Sequence, residues 1–371
     1  MPLNNIKMSK HLKKYAQIPL KQLSNRVWRT YEGGALIDRW KKTAPEIDAS
    51  MPEEWIMSTI TARGKNRPEK EGLSLIKTND GNLALKDLID SDPVLYLGKA
   101  LAQKYGTTGV LIKMLDSMER LTIQVHPDKQ YAKNILNSEF GKTESWYVLN
   151  TREVDGGKSV VYMGFKKHVT KEHWKSIFEN QNIEEMLDCL HKIEVKPGDA
   201  FMIYGGVPHA IGAGCFLMEV QEPTDYTMRV EKTTPKGLKI GPELIHQGVG
   251  EETMLECFHY ETHTLEEALN NWKITPQVID ESNEFTLRTL FNTKHTNCFG
   301  LSELLLNGSH TIKNNSSFYV AVIYSGDGIM MCNSNEYEYT QGDEIFISAA
   351  IPEITFTSKS PSKILLCYPP S

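Results

Sequence analysis

A chain of 371 residues, 40% hydrophobic and carrying a formal net charge of −6, is too long for one ordinary core and has ample apolar content to bury two or three. The charge is mild and no basic run interleaves with aromatics, which argues against nucleic acid as a partner; no apolar run approaches the length of a bilayer span. Six cysteines (Cys189, Cys215, Cys257, Cys298, Cys332 and Cys367) are scattered without a C-x-x-C pair, as expected of reduced small hydrophobes rather than a disulfide frame or a thiolate zinc site. The start, MPLNNIKMSKHLKKYAQIPL, is basic but lacks the apolar core of a secretory signal, so the cytoplasm is the expected compartment.

In chain order the strand-like runs are VLYLG, GVLIKML, RLTIQV, SWYVLN, VVYMGF, AFMIYG and CFLMEVQ, then FYVAVIY, EIFISA, ITFT and ILLCYPP. They are short, rich in Val, Ile, Phe and Tyr, and punctuated by Gly, Pro and Asp, with a turn at Asn79-Asp80-Gly81. Helical periodicity marks residues 171–190, where Trp174, Ile177, Phe178, Met186, Leu187 and Leu190 share one side, and more weakly residues 242–255. The pattern predicts a mainly β protein with helical insertions, not a doubly wound sheet.

An internal repeat sharpens that expectation. PGDAFMIYGGVPH (residues 197–209) aligns without a gap on QGDEIFISAAIPE (residues 341–353), matching Gly198 with Gly342, Asp199 with Asp343, Ile203 with Ile347 and Pro208 with Pro352. A Gly-Asp turn, a buried strand and a terminating proline, used twice, imply two related β-barrels. After the proline the first copy has His209 and the second Glu353, so only the first is expected to be equipped. The Gly-Asp-strand-Pro-His order is the second signature of the cupin barrel, a double-sheet jelly roll.

Partners for His209 are expected upstream. In RLTIQVHPDK, alternation puts Leu121, Ile123 and Val125 on one face and Thr122, Gln124 and His126 on the other; in GKTESWYVLN, Lys142 and Glu144 share a face if the chain is extended from Gly141. A row of polar side chains on one strand face is ordinarily a solvated surface, and each of these residues alone is ordinarily structural. Together Gln124, His126, Glu144 and His209 form a mixed N/O set that leaves a divalent cation with net charge about +1 and an open position, and zinc fits it best.

The chain resembles the type I mannose-6-phosphate isomerases, of the short bacterial class within the cupin superfamily, across nearly its whole length. The resemblance rests on LTIQVHPDKQ (residues 121–130), GKTESWYVL (141–149), PGD (197–199) with PHAIGAG (208–214), and MEVQEPTDYTMRV (218–230). It implies one metal held by Gln124, His126, Glu144 and His209, with Lys142 and Arg229 in the substrate pocket beside Thr122, and Glu219 close to the reacting sugar. The implied activity is interconversion of mannose 6-phosphate and fructose 6-phosphate through an enediol, with a small-molecule sugar phosphate as partner and neither nucleic acid nor membrane. Glu219 is the first candidate for the proton-transferring base; its alternative role is to accept a hydrogen bond from a ligand histidine. Lys142 and Arg229 suit an anionic substrate, or pair instead with Glu144 or Asp225.

Three segments depart from the family pattern. The family's S-D-T-T-Y-R-V-Y-D-Y reads P-T-D-Y-T-M-R-V-E-K here; its W-G-G reads Y-E-G-G, with Glu32 in place of tryptophan; and EEWIMSTITA (residues 53–62) lacks its A-H-P. These departures keep open a catalytically altered bicupin that acts on another sugar or merely binds a sugar phosphate; a cupin dioxygenase is disfavoured because Gln124 stands where its first histidine is expected. The expected organisation is residues 1–240 for N-terminal strands plus the metal-binding barrel, 241–300 for a connector, and 301–371 for a second, metal-free barrel. Oligomeric state is not encoded in any recognisable signal.

Overall fold

The computed structural model describes residues 11–64 and 67–371; the first ten residues of the basic start lie outside them. Two jelly-roll barrels pack against each other. In the first, one sheet runs in the order Lys273–Ile274, Ala200–Ile203, Glu144–Thr151, Cys215–Gln221, Leu111–Asp116, Glu53–Ile56 and Arg26–Val27. The facing sheet runs Leu190–Glu194, Val160–Lys166, His209–Ile211, Gln124–Val125 and Met228–Arg229, with Thr262–His263 added parallel to Val160–Lys166.

Strand alternation gives the larger sheet two different faces. Trp146, Val148, Leu217 and Leu115 point into the barrel and meet Val161, Met163, Phe201 and Ile211. Their neighbours Tyr147, Phe216, Met218, Val220, Ile112 and Met114 point the other way and pack with Val320, Val322, Phe346, Leu365 and Leu301 of the second barrel. Each barrel therefore supplies one wall of a core shared by both.

The repeat is structural in detail. Gly198 and Gly342 both sit at left-handed φ, 94° and 90°, which is why each turn uses glycine. Asp199 Oδ2 accepts the amide of Lys196 at 3.1 Å and Asp343 Oδ2 that of Thr340 at 2.9 Å, so both turns are closed by the same side chain. His209 then opens the strand His209–Ile211 and Glu353 opens Glu353–Ser358, but His209 is buried and Glu353 is exposed.

Several expectations are corrected. VLYLG is not a strand: Pro93–Leu97 is a helix, because Asp92 caps it by accepting the amide of Leu95 at 3.2 Å and Pro93 occupies its first turn. The helical stretch at residues 171–190 is two helices, Lys171–Glu179 and Ile183–Asp188, separated by the capping Asn182. RLTIQV pairs as a strand only at Gln124–Val125. Leu121 consequently lines the barrel interior while Ile123 and Val125 pack outward against the helices. Residues 241–300 are no mere connector: Thr262–His263 and Lys273–Ile274 extend the first barrel, while Gln277–Glu281 and Phe285–Phe291 belong to the second. The second barrel also borrows Leu20–Lys21, which pairs with Glu344–Ile347.

At that seam lies a buried charge cluster. Lys41 Nζ is 2.8 Å from Glu344 Oε2 and 3.5 Å from Glu54 Oε1, and Gln22 Nε2 donates to Glu344 Oε2 at 2.9 Å. Glu344 Oε1 has no hydrogen-bond partner, and burial with Glu54 nearby pushes the Glu344 carboxyl up to about 8.

Candidate metal centre and cleft

His126, Glu144 and His209 converge inside the first barrel, with one candidate ligand atom from each lying within 4.8 Å of the others. Antiparallel pairing sets this up: His209 registers opposite Gln124, while Glu144 begins the strand facing them from the other sheet. All three are essentially inaccessible, at 1%, 1% and 0%. His209 Nδ1 donates to Val207 O at 2.9 Å and His126 Nδ1 to Tyr226 O at 3.0 Å, which leaves both Nε2 lone pairs facing inward. Burial lowers both imidazoles below their ordinary range, keeping them neutral.

His126 Nε2 lies 3.0 Å from Glu144 Oε2, yet neither atom has a hydrogen-bond partner. Glu144 is fixed through its other oxygen, which accepts from Trp146 Nε1 at 3.0 Å. Gln124 Nε2 stands 3.3 Å from His209 Nε2, and half a turn of the amide presents Oε1 instead. Two neutral imidazoles, a carboxylate with a free oxygen and an amide oxygen fit a divalent cation of the zinc type, and leaving buried polar atoms unpaired is costly otherwise.

A cleft opens beside this cluster, lined by Arg29, Tyr31, Glu53, Lys113, Leu121, Thr122, Gln124, Lys142, Glu219, Asp225, Thr227 and Arg229 among others. It is tight, with a volume of about 30 Å³. A roomier groove of about 430 Å³ beside Asp128, Tyr131 and Glu256 has no metal-ligand cluster among the described residues.

The sequence-predicted residues are brought together. Lys142 Nζ is 3.7 Å from Glu144 Oε2 and 3.5 Å from Thr227 Oγ1; burial beside Lys113 lowers its pKa. Arg229 donates to the carbonyls of Leu244 at 2.6 Å and Thr227 at 3.4 Å, and burial brings it down to about 10. Glu219 accepts from Lys113 Nζ at 2.9 Å and receives nothing from a ligand histidine; burial raises its carboxyl. Met218 and Val220 point to the opposite face, as alternation requires.

Sequence reasoning missed the charge network behind them. Glu53 accepts from Arg29 at 2.8 Å, Trp55 Nε1 at 2.7 Å and Tyr31 OH at 2.8 Å, and stands 3.8 Å from Lys113. Against the cost of burial, the Arg29 and Lys113 charges hold Glu53 far below the usual carboxylate range. Arg29 also reaches Asp225, at 3.3 Å. The available signal was Lys113, a lone cation in the apolar run GVLIKML.

Comparison with known proteins agrees with this architecture. Residues 20–144 match the family described as phosphomannose isomerase type I, catalytic domain, and residues 289–363 match mannose-6-phosphate isomerase, cupin domain. Mannose-6-phosphate isomerase ManA of Bacillus subtilis (strain 168) is 26% identical over 244 residues, 66% of this chain and 70% of that protein. A mannose-6-phosphate isomerase of Streptococcus mutans is 38% identical over 121 residues, 33% of this chain and 35% of its own. In fold, the crystal structure of the Bacillus subtilis mannose 6-phosphate isomerase superposes with a TM-score of 0.72 at 20% identity, covering 95% of this chain and 100% of that one. A zinc-bound mannose 6-phosphate isomerase superposes with a TM-score of 0.71 at 15% identity, with the same coverage. With the matched segments spanning both barrels and three of the four expected ligands falling inside the first of them, the chain belongs to the type I phosphomannose isomerase family.

Proposed function

We propose that this protein interconverts mannose 6-phosphate and fructose 6-phosphate, using one zinc ion held by Gln124, His126, Glu144 and His209. The observation that carries the reading is the pair of unpartnered buried ligand atoms, His126 Nε2 and Glu144 Oε2, at the base of a cation-lined cleft in a chain of this family. A bound divalent cation supplies Lewis-acid polarisation of the sugar's O1 and O2.

The protein's own groups do the rest. Conversion of aldose to ketose removes the proton on C2, moves the carbonyl from C1 to C2, and delivers a proton to C1. Glu219 is the base: burial raises its carboxyl, and Lys113 keeps it ionised enough to accept the proton and return it. Lys142, beside Glu144 and Thr227, steadies the negative charge that develops on the enediol oxygens. Arg229, whose guanidinium meets only backbone carbonyls among the described residues, is the cleft cation most free to turn toward the substrate. Thr122 contributes a hydroxyl at the same wall.

No helix among the described residues is long and apolar enough to cross a membrane, and all six cysteines are free and buried, a state that suits the reducing cytoplasm. The test is incubation of the metal-replete protein with mannose 6-phosphate in heavy water. Ketose with deuterium entering at the reacting carbons is expected; absence of ketose with every plausible divalent metal refutes the isomerase in favour of a sugar-phosphate-binding bicupin.

A further inference from the structure

The strand that begins at His209 is approached through Tyr204-Gly205-Gly206, where the second copy of the repeat has Ser348-Ala349-Ala350. In the first barrel this stretch forms one side of a pocket of about 350 Å³, within the range of small-ligand sites, and the pocket shares no lining residue with the cleft. Glycine makes room for its walls. A Cβ on Gly206 would lie 2.3 Å from the imidazole of His259, and one on Gly164 would lie 2.1 Å from the indole of Trp272. His259 is held in place by Asp128 Oδ2 at 2.9 Å. Tyr204, 36% exposed, is fixed by donating its hydroxyl to His295 O at 3.2 Å.

Several polar groups that line this pocket have no partner. His263 Nδ1 is shielded from solvent and bonded to nothing. Among the described residues, Trp272 Nε1, the Asn271 amide and the Glu261 carboxylate also meet no hydrogen-bonding or ion-pairing group. An unmet buried polar atom is costly, so a ligand that reaches it gains affinity. A carboxylate accepts from two neighbouring hydroxyls at once, an amide both donates and accepts, and the indole N–H donates. The Tyr204 ring adds an electron-rich face suited to the C–H groups of a sugar.

Charge narrows the ligand class further. The cleft is lined by Arg29, Lys113, Lys142 and Arg229, whereas no lysine or arginine lines this pocket and Glu261 is its one carboxylate among the described residues. A phosphate placed here would face Glu261 with no cation to offset the repulsion. We propose that this pocket, through Tyr204, Glu261, His263, Asn271 and Trp272, binds the ring of an unphosphorylated hexose. The site goes beyond the isomerase reading, since it lies apart from the cleft and performs no chemistry.

Methyl α-mannoside and methyl α-glucoside are the probes, because a glycoside cannot open to an aldehyde and so is no substrate for an aldose–ketose isomerase. Calorimetric titration and saturation-transfer NMR of the metal-loaded protein are expected to show binding with a dissociation constant on the order of 1 mM for a ligand this small. Mannose 6-phosphate at saturating concentration should leave that binding unchanged. The double variant Glu261→Ala/Asn271→Ala, altered only at exposed positions, should melt as the wild type does and bind about tenfold more weakly. Mannotriose separates two sources of the same ring: tighter binding than the monosaccharide assigns the end of a saccharide chain, equal binding assigns a free sugar, and either upholds the site. No binding of either glycoside, displacement by mannose 6-phosphate, or a double variant that binds as tightly as the wild type overturns the inference.

Discussion

Replacing Glu344 by Gln should remove a pH dependence built into the seam between the barrels. Burial raises the Glu344 carboxyl first, and Glu54, which shares Lys41 with it, adds to the effect, so the Glu344 proton is held up to about 8. A carboxyl raised in the folded state above its ordinary 4.5 binds its proton more tightly folded than unfolded. Its stabilising contribution is therefore complete below about pH 4.5 and is lost as pH climbs toward 8. At ~1.36 kcal/mol per pH unit, that interval amounts to at most roughly 5 kcal/mol. Glutamine keeps the shape and stays neutral, so the stability of Glu344→Gln minus that of the wild type should grow with pH by about 1 kcal/mol per unit between pH 5 and 8. Urea denaturation followed by circular dichroism at pH 5, 6, 7 and 8 measures this difference and cancels every other titrating group. A difference that stays constant within ~0.5 kcal/mol, or shrinks with pH, would falsify the assignment of Glu344 as the titrating member.

The remaining predictions concern the first barrel. His209→Ala should abolish tight metal binding while Glu353→Ala, its exposed counterpart in the second barrel, leaves metal content and turnover intact; elemental analysis and activity decide, and a full equivalent of metal in His209→Ala refutes the ligand set. Lys113→Met should leave Glu53 and Glu219 facing each other without their shared cation, costing about 3–5 kcal/mol in denaturant unfolding. Adding Glu219→Gln should recover part of that stability without restoring turnover, and independent, additive effects would disprove the coupling. Arg229→Lys should lower turnover markedly with metal retained; kinetics near wild type would reduce Arg229 to a structural donor to Leu244 and Thr227.

What the sequence disclosed and what it withheld follow from the range of each interaction. The Gln124/His126 pair, Glu144 and His209 sit in short runs whose local spacing already states their orientation, and the Gly-Asp turns announce both barrels because only glycine tolerates φ near 90° there. The network of Arg29, Glu53 and Lys113 was illegible because two members come from different strands and the third follows the strand Arg26–Val27, and only the sheet order makes the three adjacent. Pro93–Leu97 was misread for a different reason. Its β-branched and aromatic composition resembles a strand, and the decisive signal was the Asp-Pro pair in front of it. The exchange of Leu20–Lys21 into the second barrel rests on two residues, too few to carry a pattern.

That exchange has a consequence for the order in which the protein can be completed. Leu20 and Lys21 pair with Phe346 and Ile345, Ser348 Oγ donates to Ala16 O, and Lys21 is 2.7 Å from Asp343. As a ribosome makes the chain, the stretch around residue 20 emerges before residues 344–347 and waits for them before it has that sheet to join. The edge strand Glu344–Ile347, for its part, is covered on arrival by a segment already waiting, so it never offers a bare row of amides to another molecule. Contacts this distant in sequence close late and slowly, so the joining of Leu20–Lys21 to Glu344–Ile347 follows the formation of most strands within each barrel.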